Sequence, residues 1–190
     1  MRVVTPKKPR SRIAETPRGL ELTIPARRRV FHIVFLPIWL VAWAFGWVTA
    51  FLGLVSGGLG AAPSTFLLAW LVMWTAGGAF AMLAVAWSLA GREVVTLNPA
   101  ALVIAHRVLS MGRVREYAVQ EISNLRVTPQ AYDPFDFRSS MRLWGLGGGP
   151  IAFDYGAATI RFGGSIEEAE AAVLVRRLVE RQPYLTRPAA

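Results

Sequence analysis

The chain of 190 residues has no cysteine, which excludes a disulfide framework, a thiolate metal site, a cysteine nucleophile and a haem attachment motif. Its only two histidines, His32 and His106, lie far apart in sequence. Lysine is absent from residues 91–190, and no Asp, Glu, Lys or Arg occurs between Arg29 and Arg92. Charged residues make up 17% of the whole, against roughly 25% in an ordinary soluble domain. The deficit is concentrated in that one uncharged stretch.

Two apolar runs fill it, Phe31 to Val55 and Thr65 to Ala90. At 1.5 Å per residue, a helix of about 25 residues reaches roughly 37 Å and crosses a hydrocarbon core of about 30 Å with some tilt. Gly57, Gly58, Gly60 and Pro63 supply a turn between the runs, as breaker clusters do. Two buried helices of a soluble core would not need two uncharged runs of this length. A cleavable signal peptide is a poor fit too, because the first run exceeds an h-region of about 7–15 residues and a second run follows. The pattern predicts a two-helix transmembrane hairpin over residues 31–90.

Charge orients it. Residues 1–30 carry nine Lys or Arg against Glu15 and Glu21, while residues 91–190 carry twelve against ten. Basicity gathered in a terminal segment argues against a nucleic-acid-binding domain and for a membrane-surface contact. Arg27, Arg28 and Arg29 precede the first span, Arg92 follows the second, and the connecting loop is uncharged. The positive-inside bias then places both termini in the cytoplasm, with these four arginines meeting anionic lipid nonspecifically. Pro6, Pro9, Pro17 and Pro25 favour an extended backbone before the spans, so residues 1–30 read as a basic tail. On that reading, deleting Met1 to Pro25 weakens assembly and preserves insertion.

Within the hairpin, Trp39, Trp43 and Trp47 recur every four residues, and Trp70, Trp74 and Trp87 mark the second span. Such a stripe reads as helix packing, with a pigment, quinone or partner subunit as the alternative. Gly53 and Gly57 have GxxxG spacing, and Gly77 and Gly78 lie mid-span, so all four are candidates for close helix approach, within the hairpin or against a foreign helix. His32 reads as an interfacial imidazole, with an axial ligand to a tetrapyrrole as the alternative.

After Gly91 the texture changes to short alternating runs: REVVTLN, ALVIAHRVL, VREYAVQ and EISNLRVTP, four strands at the spacing of a β-meander. IAFDYG and ATIRFGG add two more. Between them, Gln130 to Pro150 form an aromatic, arginine-containing insertion, and Tyr132, Phe135, Phe137, Arg138, Arg142 and Trp144 are its candidate partner contacts. The chain ends in a helix, IEEAEAAVLVRRLVER. Ser165 and Glu168 have capping-box spacing, Ile166, Ala169, Val173, Leu174 and Leu178 form an apolar face, and Pro183 stops it.

This order of elements resembles the bacterial pleckstrin-homology-like (PH-like) domains attached to a two-helix membrane hairpin. The resemblance covers about Gly91 to Gln182 and the preceding hairpin, and rests on REVVTLNPAALVIAHRVLSMGRVREYAVQEISNLRV, FDYGAATIRFGG and SIEEAEAAVLVRRLVE. It implies a membrane α-hairpin plus an α+β domain over residues 91–190, a bent antiparallel β-barrel capped by the C-terminal helix, acting as a binding or assembly module. Phosphoinositide-binding relatives hold phosphates with a lysine- and arginine-rich loop after the first strand. Here that loop is Asn98 to Ala100 and lacks lysine, so headgroup-specific recognition is not expected.

Catalysis requires a convergent set of nucleophile, base or metal ligands. His106 stands mid-strand and reads as structural, Asp133, Asp136 and Asp154 are candidate carboxylates although DPFDF reads equally as a turn, and GLGGGP lacks the GK[ST] ending and helix of a phosphate loop. The sequence expectation is a noncatalytic integral subunit, without cofactor, that scaffolds a multisubunit complex of the bacterial inner membrane, respiratory or photosynthetic, alongside other integral membrane subunits. The alternative is a free-standing membrane-tethered adaptor that recruits a soluble partner or lipid.

Overall fold

The computed structural model describes residues 9–57, 61–128 and 148–188. They fall into two compact units, residues 28–89 and residues 9–27 with 90–188. The second unit is therefore built from two separate pieces of chain.

Its first piece corrects the reading of residues 1–30 as a tail. Arg12–Thr16 and Gly19–Pro25 form strands β1 and β2. The prolines do not prevent this, because Pro17 falls in the turn and Pro25 ends β2, positions a sheet tolerates. Along β2, Leu20, Leu22 and Ile24 are buried while Glu21 and Thr23 point the other way, the period-two alternation of a half-buried strand.

Residues 28–89 contain the two long helices. A π-helical turn at Phe31–Phe35 leads into α1, Leu36–Val55, and α2 spans Ala61–Ala90. Both are long and apolar enough to cross a membrane.

The chain re-enters the split domain at β3, Gly91–Leu97, followed by β4, Ala101–Val108, and β5, Met111–Ala118. β1 to β5 form one antiparallel sheet in chain order. β2 pairs with β3, Pro25 opposite Arg92, and the Ala26 N–H donates to the Gly91 carbonyl at 2.9 Å. The helical hairpin is thus an insertion between two neighbouring strands. Asn98 shapes the β3–β4 turn, its Oδ1 accepting the N–H groups of Ala100 and Ala101 at 2.9 and 2.6 Å.

A short 3₁₀ turn, Val119–Glu121, then takes the chain out of this ladder, its Val119 N–H bonding the Ala100 carbonyl. A second antiparallel sheet follows: β6, Ile122–Val127; β7, Ile151–Tyr155; and β8, Ala158–Phe162. The two sheets remain separate ladders of five and three strands. Among the described residues the expected closed barrel is therefore not formed, since the 3₁₀ turn interrupts pairing between β5 and β6.

Helix α3, Glu168–Arg181, packs on the core shared by both sheets. Leu22, Val95, Leu102 and Ile104 from the first sheet meet Ile122, Phe153 and Phe162 from the second, with Ala171, Leu174 and Leu178 from α3. The helix starts later than the expected capping box places it. Its first residue is Glu168, Glu167 stands at the cap without a side-chain bond, and Ser165 Oγ accepts the Arg27 N–H at 3.2 Å. The buried face also shifts, with Ala171 fully inside and Ala169 and Val173 only half-buried.

Deleting residues 1–25 would remove two strands and strip Leu20, Leu22 and Ile24 from the core, so loss of the folded domain is expected rather than weakened assembly. A finer test is Leu22→Ala, expected to cost about 3 kcal/mol. The exposed Ile13→Ala should stay within about 0.5 kcal/mol. Denaturant unfolding of the detergent-solubilised chain would read both, and similar losses would argue against β2 as a core strand.

Candidate functional site

In the helical unit the tryptophans form a reciprocal lock. Trp43 Nε1 donates to the Trp74 carbonyl at 3.1 Å, and Trp74 Nε1 donates to the Trp43 carbonyl at 3.4 Å. Trp47 Nε1 donates to Thr75 Oγ1 at 2.8 Å, and Thr75 Oγ1 donates to the Leu71 carbonyl within its own helix. Trp39 lies 6.4 Å from Trp74, centroid to centroid, and Trp70 stacks on Trp74 at 4.4 Å. The stripe thus joins α1 to α2, and the indole N–H groups of Trp43, Trp47 and Trp74 each find an acceptor. At one end, His32 Nδ1 lies 2.8 Å from Ser88 Oγ, and both side chains are buried.

The four glycines are not equivalent. The Trp43 indole lies where a Gly78 side chain would be. An added Cβ at Gly53, Gly57 or Gly77 meets nothing within 4 Å, so those three provide no close approach within the hairpin.

In the split domain, three carboxylates act as fasteners. Glu93 is buried on the inward face of β3. Its Oε2 accepts the Gly163 N–H at 2.9 Å, and Oε1 lies 3.3 Å from Nε2 of His106, its cross-strand neighbour. Glu170, buried on α3, accepts the N–H groups of Arg10 and Ser11 and the Ser11 hydroxyl through one oxygen, at 2.8, 2.7 and 2.6 Å. Asp154 on β7 takes Arg126 in a two-point ion pair at 2.8 and 3.1 Å, with Asn124 Nδ2 and Thr159 Oγ1 each donating at 2.8 Å. Hydrogen bonds from Arg126, Thr159 and Asn124 hold its carboxyl well down, at about 2.

Arg92 and its cross-strand neighbour Arg107 stand on the outer face of the first sheet. With Arg18, Glu21, Thr23 and Thr96 they line an open trough of about 510 Å³. Two arginines side by side repel one another unless an anion lies near. Arg27 and Arg28 are exposed where the chain leaves the sheet, and Arg29 is half-buried. Tyr132, Phe135, Phe137, Arg138, Arg142 and Trp144 lie outside the described residues.

Sequence reasoning missed Glu93, Glu170 and the His32–Ser88 pair. Two of them left a signal. Alternation along β3 turns Glu93 inward with Val95, and Glu170 precedes Leu174 by one helical turn, on the face that carries Leu178. Among the described residues, no three His, Asp or Glu side chains converge as metal ligands would. No family model, curated protein or solved structure matches the chain.

Gly78→Leu would displace the Trp43 indole and is expected to destabilise the solubilised protein by about 1–3 kcal/mol. Gly53→Leu and Gly77→Leu should stay within about 0.5 kcal/mol in the same thermal assay; equal losses at all three positions would refute the distinction. For Asp154, a depressed pKa adds stability that is full above its ordinary value of 3.8 and is lost as pH falls through about 2. Asp154→Asn should therefore cost about 1 kcal/mol at pH 7 and lose that effect near pH 2. A pH-independent deficit would contradict the ion-pair account.

Proposed function

We propose that the chain is a noncatalytic integral membrane subunit whose two helices insert in the bacterial inner membrane and whose split domain, PH-like in the order of its strands and final helix, forms a cytoplasmic platform for a multisubunit complex. The observation that carries the membrane reading is the outer face of the π-helical turn and α1. Val34, Ile38, Val41, Phe45, Val48, Leu52 and Val55 recur at alternating spacings of four and three, and all are exposed, Val41 at 74% and Phe45 at 77%. Water would penalise seven such side chains by roughly 1.5–3 kcal/mol each relative to an apolar surrounding. Lipid or a neighbouring helix removes that penalty.

The sheet supports the topology. Hydrogen-bonded pairing of β2 with β3 is what two crossings with both flanking segments on one side of a bilayer would permit. Arg27, Arg28, Arg29 and Arg92 favour the cytoplasmic side. Two covalent connections, one into each of two paired strands, tie the domain to the hairpin. That favours a fixed scaffold over a roaming adaptor.

Gentle detergent extraction and native mass analysis should find the chain bound to other integral membrane subunits; migration only as a monomer or homo-oligomer would sink the subunit reading. A reporter fused after Ala190 should be active in the cytoplasm, and activity confined to the periplasm would reverse the orientation.

A further inference from the structure

We infer that the β4–β5 turn, Leu109 and Ser110 with Met111, is a third membrane contact that seats the domain on the anionic leaflet. The inference rests on the membrane reading above and adds a site to it.

The first observation is the turn's chemistry. A two-residue hairpin turn with Val108 opposite Met111 favours Asn or Gly, which tolerate positive φ. Leu109 occupies this turn at φ 54°, an uncommon conformation for a bulky side chain. It is 74% exposed, and Met111 beside it is 78% exposed. Neither local conformation nor the core accounts for large apolar side chains here; an apolar surface outside the domain would.

The second is position. Gly91, the first residue after α2, is the cross-strand partner of Val108, and Ala26 bonds to Gly91 on its other side. Paired Cα atoms stand about 5 Å apart and consecutive ones 3.8 Å. Leu109 therefore lies within about 13 Å of Ala90, the last residue of the apolar span. That bound follows from chain connectivity and holds at any tilt of the sheet. It keeps the turn close enough to the end of the span for the side chains of Leu109 and Met111 to meet the headgroup layer in a suitable tilt of the domain, which is the tilt proposed here.

The third is charge. From His106 to Arg115 the hairpin carries Arg107, Arg113 and Arg115 and no Asp or Glu. The nearest carboxylates are Glu93, turned inward to Gly163, and Glu116 further along β5. The turns at the opposite end of the same sheet, Pro17–Arg18 and Asn98–Ala100, contain no large apolar side chain. Apolar tips flanked by arginines suit an anionic lipid interface, where the tips enter the acyl boundary and the cations meet headgroups.

The absence of native cysteine makes the test direct. Single-cysteine variants of the full chain, Leu109→Cys and Met111→Cys, would carry an environment-sensitive fluorophore in nanodiscs containing phosphatidylglycerol and a lipid-borne quencher. Val41→Cys reports insertion of α1, and Pro99→Cys reports the far end of the sheet. Both turn residues are exposed, so neither substitution disturbs the core. Quenching at 109 and 111 well above that at 99 is expected, and Arg113→Gln should lower the ratio of lipid-contacting to solvent-exposed label about fivefold, the factor for one basic side chain at an anionic surface. Quenching at 41 with none at 109 and 111 overturns this contact alone and points to a protein partner for the turn. No quenching at 41 overturns the membrane reading with it.

Discussion

The rest of the structure depends on one seam, the pairing of β2 with β3 across an inserted pair of helices. About 65 residues separate Pro25 from Arg92, yet the two are cross-strand neighbours. Without that ladder, Leu20, Leu22 and Ile24 lose their place in the core, β3 becomes an edge, and the two connections to the helices cease to act together.

The seam is reinforced by buried carboxylates, which are costly to desolvate unless hydrogen-bonded. Glu170 meets that condition with three donors to one oxygen, so the chain ahead of β1 is held to the last helix, some 160 positions later. Glu93 does the same between the first sheet and the loop after β8. Neither has the geometry of a reaction centre. Both join pieces that apolar packing alone would leave free to slide, because hydrogen bonds specify register in a way that contact between leucines does not.

The legible parts of this fold were those encoded locally. The two apolar runs, the strands from REVVTLN to EISNLRV and the final amphipathic helix carry their own periodicity, and the structure places elements at each. β1 and β2 were illegible for a definite reason: GLELTIP alternates as a strand should, but its partner lies beyond the inserted hairpin, and Pro17 and Pro25 looked like disruptors when they were boundaries. Ser165 likewise has a long-range partner that its spacing to Glu168 cannot reveal, its hydroxyl accepting the Arg27 N–H. Of the candidate site, the tryptophan stripe and Arg92 were visible in sequence, but the Trp43–Trp74 reciprocity and the inequality of Gly78 and Gly53 depend on how the helices meet.

The split of the domain also sets an order of events. An isolated two-stranded hairpin is marginal in water, so β1 and β2 leave the ribosome without a lasting partner and must wait until both apolar runs and β3 have been synthesised. Pairing of the two helices through Trp43 and Trp74 brings the ends of that long loop together and removes much of the closure entropy that β2–β3 pairing would otherwise have to overcome. Pairing of the helices in this way serves the sheet as a folding template, and a chain whose helices fail to pair also fails to complete its split domain.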